Sequence, residues 1–259
     1  MHTLARLALV GLVFASTAES LRAADDAPVM GKPGKLLYQD DFSHAEVKPQ
    51  WRVGLGFWAI HEGVMVVEEN PADKHGAYAY AQPGFGYKDI VAEYSFKLDG
   101  STNCDLKMED SNYKASHAGH IIRASITPKA VVLGDSKYGS MENTFYAQYN
   151  DPKATPEQKK QLQAGIKDKS ATFKVSLDLA KWHQARVEVV GDEMLISIDG
   201  KIVGYLKSAG VDHPTKNLIG FTIGGKSTQL DNFKVWDATP APGWEARRAS
   251  VAAAVGKAL

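Results

Sequence analysis

The residues between Leu36 and Asp237 form a succession of short runs rich in Val, Ile, Tyr, Phe and Trp, separated by Gly, Asp, Asn and Pro. Branched and aromatic side chains fit a pleated surface, whereas the separating residues favour turns, so each run predicts a β-strand. About fourteen strands follow from this pattern, enough for two stacked sheets. The chain is therefore expected to fold as an all-β sandwich of antiparallel strands.

Turn and helix signals refine this expectation. Residues 190–193 and the pair Asp199–Gly200 each join two predicted strands and mark tight hairpins. One segment departs from the β pattern: residues 155–166 start with Thr155 and Pro156 and have Gly165 near the end, an arrangement typical of a helix. We expect one surface helix there, in a long loop.

The N-terminus has the pattern of a secretory signal peptide. Arg6 precedes the apolar run 7–14, and small residues follow it. The run is about half of the ~20 residues that a membrane-spanning helix needs. We expect residues 1–24 to be a signal peptide, which predicts a secreted or periplasmic protein. Residues 25–237 would form one domain, and residues 238–259 a flexible or short helical tail.

Charge and motifs limit the function classes. Lys and Arg number 30 and Asp and Glu number 30, so nothing favours nucleic acid as a partner. No later segment of the sequence is apolar enough to span a membrane. The sequence contains no G-x-S-x-G, H-E-x-x-H, P-loop or G-x-G-x-x-G motif. The oligomeric state is left open.

Alternating polar and apolar residues in three successive segments predict a polar face. In a strand, every second side chain points to the same side of the sheet. Residues 93–98 and 104–109 alternate strictly, and in residues 117–126 the alternation assigns His120 to the core and Ile121 to the polar face. The segments follow one another closely, so we expect their polar side chains to share one surface. That predicted surface contains Glu93, Lys97, Asp105, Lys107, Glu109, His117 and Arg123.

Such a surface has two interpretations. It could hydrogen-bond sugar hydroxyls, with Glu93 and Asp105 as catalytic acid–base groups and Lys97, Lys107, Glu109, His117 and Arg123 binding substrate. Alternatively it is the solvated face of an antiparallel sheet. A sugar site also needs an aromatic platform, for which Trp51, Trp58, Tyr78, Tyr80, Phe85, Tyr87, Tyr113, Tyr138, Tyr146 and Tyr149 are candidates.

No cofactor or metal site is expected. The carboxylate-rich loops at Asp40–Asp41 and Asp231–Asn232 could bind Ca²⁺, but turn formation and hydrogen bonding explain them equally well.

Several framework segments resemble a known family. They are Asp41–Phe42, the pattern W-x-I-x-x-G-V from Trp58 to Val64, the segment DIVAEYSFK at residues 89–97, and LDNFKVW at residues 230–236. Over roughly residues 36–237 the chain resembles the exported 3-keto-disaccharide hydrolase family. The resemblance implies a concanavalin A-like, laminin-G-like jelly roll with a sugar-directed activity, and Glu93 matches the acidic residue of the family strand. Ile121 stands where the family has a second acidic residue.

The resulting hypothesis is a secreted carbohydrate-active protein. The first candidate is a glycoside hydrolase that acts on 3-keto-disaccharides or related glycans by carboxylate general acid–base catalysis. The alternative is a noncatalytic carbohydrate-binding or cell-envelope module. The sequence has no E-x-D-x-x-E run, which argues against a retaining endoglucanase. A saccharide or glycan is the expected partner in either case.

Overall fold

The computed structural model describes residues 29–256. The predicted signal peptide, residues 1–24, lies outside them. Within the described residues no helix is both long and apolar enough to cross a membrane.

Strands dominate the described part of the chain. They are β1 (Gly31–Asp40), β2 (Trp51–Leu55), β3 (Phe57–His61), β4 (Val64–Glu68), β5 (Ala77–Ala81), β6 (Ile90–Leu98), β7 (Ser101–Glu109), β8 (His120–Ile126), β9 (Ala130–Asp135), β10 (Ser170–Lys174), β11 (His183–Val190), β12 (Glu193–Ile198), β13 (Lys201–Lys207), β14 (Leu218–Gly225) and β15 (Thr228–Pro240). The helices are α1 (Asn143–Tyr149), α2 (Pro156–Gly165) and α3 (Trp244–Gly256).

The strands form two antiparallel sheets. One has seven strands in the order β10-β9-β8-β7-β14-β5-β2. The other has eight, in the order β13-β12-β11-β6-β15-β4-β3, with β1 paired to β15. This arrangement confirms the predicted two-sheet antiparallel sandwich.

A cluster of aromatic rings joins the two sheets. Trp51 and Phe221 come from the seven-stranded sheet, and Tyr94 and Phe233 come from the eight-stranded sheet. The ring centres of Tyr94 and Phe221 are 5.0 Å apart, and those of Phe221 and Phe233 are 5.1 Å apart. All four side chains are buried, and aromatic pairs at these distances add to the hydrophobic stabilisation of a core. The core therefore lies between the sheets, and each sheet has an outer face opposite it.

The chain changes sheet between β6 and β7, which corrects the expected common surface. β6 pairs with β11 and β15, whereas β7 pairs with β14 and β8. Glu93 and Lys97 therefore lie in the eight-stranded sheet, away from the polar residues of β7 and β8. The turn at Asp99–Gly100 links strands of opposite sheets. Alternation within a strand fixes which side chains share a face, but not which sheet the strand joins.

The connection between β9 and β10 contains two helices instead of the one expected. Thr155 caps α2 in a capping box with Gln158, as its sequence predicts. Helix α1 was not predicted. Its cap is Glu142, whose side chain accepts hydrogen bonds from the backbone of Thr144 and Phe145, and Glu is not among the residues that usually mark a helix start.

The C-terminal segment packs against the eight-stranded sheet. Trp244, the first residue of α3, is buried and donates a hydrogen bond of 3.0 Å to Glu193. Arg248 lies 2.6 Å from the same carboxylate. Burial of Trp244 and the ion pair hold α3 to the domain.

Candidate functional site

The outer face of the seven-stranded sheet carries polar side chains from β7. Cys104, Leu106 and Met108 are buried in the core, so the intervening Asp105, Lys107 and Glu109 point to the opposite face. The register aligns Lys107 with Arg123 on β8 and with Gly220 on β14. Gly220 in turn opposes Tyr80, and Tyr80 opposes Arg52. Directly opposed residues share a face, so Arg52, Tyr80, Gly220, Lys107 and Arg123 form a cross-strand row.

A cleft of about 560 Å³ opens over one end of this row. This volume lies within the range of small-molecule sites. The polar and aromatic residues that line the cleft are Arg52, His75, Tyr78, Tyr80, Lys107, Glu109, His117 and His120. Val53, Gly54, Leu55, Ala118 and Leu218 complete its lining.

Glu109 is the buried centre of the cleft. Tyr80 donates a hydrogen bond of 2.6 Å to Oε2, while His120 Nδ1 and Lys107 Nζ lie 2.7 and 3.2 Å from Oε1. The side chain of Glu109 is only 2% exposed. Burial alone would raise its pKa, but the hydrogen bond from His120 and the charge of Lys107 outweigh burial and lower the pKa to about 2. Glu109 is therefore ionised at neutral pH.

Tyr80 and Tyr78 form an aromatic wall beside Glu109. Lys107 Nζ lies 5.1 Å from the centre of each ring, and the Arg52 guanidinium lies 5.2 Å from that of Tyr80. These are cation–π distances. A Cβ atom on Gly54 would collide with the ring of Tyr78, so glycine at this position lets the ring lie close to β2. Burial, together with the charge and hydrogen bond of Glu109, holds the pKa of Tyr80 well above its usual value.

Three histidines line the cleft, His75, His117 and His120, and the sequence alternation predicts a core position for His120. A register shift between Met108 and Glu109 pairs Glu109 with His120. As a consequence, Ile121 is fully buried and His120 lines the cleft. A bulge of this kind interrupts the alternation from which the faces were predicted. The expected faces of His120 and Ile121 are therefore wrong.

His117 lies on the short 3₁₀ segment His117–Gly119 between β7 and β8. Its ring stacks on Tyr146 of α1 with a centre distance of 3.8 Å and an angle of 9°. Partial burial and the neighbouring His120 lower the pKa of His117. Helix α1 thereby supports the ring of His117 without itself lining the cleft.

The structure places the sequence-predicted site residues in three groups. Lys107, Glu109 and His117 line the cleft. Arg123 belongs to the same row but lines a separate small cavity with Asp135. Asp105 shares the face and accepts hydrogen bonds of 2.5 Å from Ser125 and 2.9 Å from Asn103.

The remaining two predicted site residues do not belong to this face. Glu93 forms an ion pair with Arg186 at 2.5 Å on the eight-stranded sheet, and Lys97 belongs to the same strand, β6. Both assignments to a shared surface are wrong because β6 and β7 lie in different sheets.

Sequence reasoning missed Arg52, His75 and His120. Arg52 lies on β2, a strand that was not predicted because the run is short and contains Gly54. The alternation of Tyr78 and Tyr80 in residues 77–81 places both rings on one side of a strand and is the sequence signal that points to this part of the site.

In the structure, the carboxylates of the two candidate Ca²⁺ loops accept hydrogen bonds from nearby protein groups. Asp40 accepts hydrogen bonds of 2.8 Å from Trp51 Nε1 and from the backbone of Phe42. Asp231 accepts hydrogen bonds from Asn232. Among residues 29–256, no group of three or more His, Cys, Asp or Glu side chains is arranged to hold a metal ion.

No protein-family model matches the chain, and no curated protein matches it in sequence. The resemblance to 3-keto-disaccharide hydrolases therefore gains no support from these two comparisons. Solved structures do match its fold.

A protein with a galectin-like fold from Bacillus subtilis has a TM-score of 0.52 at 14% identity, covering 81% of this chain and 99% of that one. An endo-β-1,3-glucanase from Pyrococcus furiosus has a TM-score of 0.51 at 12% identity, covering 82% and 99%. A non-specific endo-β-1,3(4)-glucanase from family GH16 has a TM-score of 0.51 at 11% identity, covering 82% and 97%. At these identities the similarity shows a shared jelly-roll fold.

The ionised state of Glu109 predicts how the free energy of unfolding changes with pH. Because its folded pKa is about 2 and its ordinary pKa is 4.5, its ionised form stabilises the fold above about pH 4.5. This contribution, about 3 kcal/mol from the difference in pKa, is lost as the pH falls towards 2. Urea unfolding of wild type and Glu109→Gln between pH 7 and pH 2 should give free energies that differ most at pH 7 and converge in acid.

The exposed Glu62→Gln variant is the control and should follow the wild type at every pH. A difference between wild type and Glu109→Gln that stays constant across this range would contradict the charge-paired state of Glu109.

Proposed function

We propose that this protein binds a saccharide in the cleft on the outer face of its seven-stranded sheet. The observation that carries the proposal is the placement of the Tyr78 and Tyr80 rings beside Glu109 and Lys107. Sugars present C–H faces that pack on aromatic rings and hydroxyls that hydrogen-bond to charged groups, and a binding cleft needs both. The glucanases that share the fold are consistent with this assignment.

The cleft favours binding over hydrolysis by a pair of carboxylates. Glycosidases of that kind hold two carboxyl groups about 5–5.5 Å or 6.5–9.5 Å apart. Glu109 is the single carboxylate among the described residues that line the cleft. Asp105 lies four residues earlier on the same strand, a Cα separation of about 14 Å at the usual strand rise. Glu93, the other catalytic candidate, is in the opposite sheet.

A second candidate function, acid–base catalysis by His120, is favoured by its contact with Glu109. The carboxylate lies 2.7 Å from Nδ1, which favours a proton on that nitrogen and leaves Nε2 as the base. Within residues 29–256, Nε2 of His120 has no hydrogen-bond partner. An imidazole oriented by a buried carboxylate can remove a proton from a bound sugar or a water molecule. The family resemblance makes 3-keto-disaccharides a substrate class to test.

The binding proposal predicts that the aromatic wall is required. Tyr78→Ala should weaken saccharide binding about tenfold, the equivalent of roughly 1.4 kcal/mol, because the sugar loses its packing surface. Isothermal titration of a panel of neutral, acidic and 3-keto oligosaccharides measures the change. The matched control is Tyr138→Ala, which removes an exposed tyrosine outside the cleft lining and should bind like wild type. Equal affinities of the two variants for every bound sugar would exclude the cleft.

If His120 acts as the catalytic base, its replacement should lower turnover without a comparable loss of binding. His120→Gln keeps a hydrogen-bond donor for Glu109 but removes the base, so turnover should fall at least about 100-fold while binding changes little. Chromatography of products from the same panel measures turnover. Glu93→Gln, on the other sheet, should retain wild-type rates. Absence of product from wild type on every bound sugar would reject catalysis and leave the binding function.

We also propose that the protein is exported to the periplasm or secreted, on the strength of Arg6 and the apolar run 7–14. The exported protein should begin near residue 25, as measured by intact mass. A protein that keeps residues 1–24 and stays in the cytoplasm would contradict export.

A further inference from the structure

The cleft has an uneven distribution of charge. Among its described lining residues, Arg52, His75, Lys107, His117 and His120 carry basic groups, and Glu109 carries the single carboxylate. Lys107 lies 3.2 Å from Glu109 and neutralises it. The remaining permanent charge in the cleft is the Arg52 guanidinium.

Arg52 is held in place without being neutralised. Its guanidinium lies 5.2 Å from the ring centre of Tyr80, and the hydroxyl of Tyr80 is fixed by Glu109 at 2.6 Å. Within residues 29–256, the side chain of Arg52 makes no hydrogen bond or ion pair. Its side chain thus offers all five N–H donors to a ligand from a fixed aromatic support.

The other end of the cross-strand row, at Arg123, lies outside the cleft lining. Arg123 lines a small cavity with Asp135 and Lys169, and Asp105 lies on the same face, one row away. Asp135 accepts hydrogen bonds of 2.6 Å from Ser208 and 3.0 Å from the backbone of Gly210. Among the described residues that line the cleft, the positive charge without a carboxylate partner lies at the β2 and β5 end, where Arg52 lies beside Tyr78, Tyr80 and His75.

From this placement we infer that the ligand of the cleft is an acidic saccharide, whose carboxylate or sulfate contacts Arg52 while its sugar ring packs on Tyr78. Arg suits such an anion because its planar guanidinium can donate two parallel hydrogen bonds to carboxylate or sulfate oxygens. The inference rests on the proposed saccharide-binding function and specifies the substrate class. A neutral saccharide would leave Arg52 without a partner in the complex.

The test compares one sugar with and without its charge. Tetragalacturonate and its methyl ester share a backbone, but the ester lacks the carboxylates. We expect wild type to bind the acid at least about tenfold more tightly than the ester in isothermal titration. Added salt should weaken binding of the acid and leave the ester unaffected, since exposed charges are screened. A sulfated galactose oligosaccharide distinguishes sulfate from carboxylate as the preferred anion.

Variants locate the effect at Arg52. Arg52→Gln should reduce affinity for the acidic sugar about tenfold and leave affinity for the neutral ester unchanged, while Arg52→Lys should give an intermediate loss because it keeps the charge but not the planar fork. Lys97→Gln is the matched control, because it removes one positive charge from the opposite sheet.

The outcomes separate the two proposals. Equal binding of acid and ester, with both weakened by Tyr78→Ala, would overturn the acidic-ligand inference and support the saccharide site. If Arg52→Gln bound the acidic sugar in the same preference to the ester as wild type does, the inference would also be overturned. Failure of every acidic and neutral saccharide to bind would overturn both proposals.

Discussion

Packing of two sheets against one aromatic core is the constraint on which the rest of this structure depends. Trp51, Tyr94, Phe221 and Phe233 contribute rings from both sheets to a single cluster. Because side chains alternate along a strand, a slip of one residue would place these rings in solvent and charged groups in the core. The core therefore fixes the register of the outer faces as well. The position of the cleft is therefore set by hydrophobic packing between the sheets and not by the polar residues that line it.

On that framework, the polar residues of the cleft are organised around one buried carboxylate. Glu109 is too buried to remain charged unless neighbouring groups compensate it, and Tyr80, His120 and Lys107 provide that compensation. The same contacts orient the imidazole of His120 and fix the ring of Tyr80, which in turn supports Arg52. Under the proposed function, stability and ligand recognition use one network, so that a change at Glu109 affects both.

The shared jelly-roll fold does not by itself specify chemistry. Glucanases and a galectin-like protein have this architecture at 11–14% identity, and function in such folds resides in the side chains of a particular site. Among the described residues, the cleft lining has one carboxylate, three histidines, two tyrosines, and an arginine whose side chain contacts the Tyr80 ring but no carboxylate. These groups are the basis of the proposal that the cleft binds a sugar with an anionic substituent.

Much of the fold could be predicted from the sequence, because strand and turn preferences are local. The bounds of β4, β5, β6, β11 and β12, the Asp199–Gly200 hairpin and the capped helix α2 follow from residues within a few positions of one another. Alternation also assigned Lys107, Glu109 and Arg123 to one face. What only the tertiary structure decided was which strands pair: β6 and β7 belong to different sheets, a bulge turns His120 outward, and β2 brings Arg52 to the cleft. Pairing depends on contacts between distant residues, and these form only when the whole core packs.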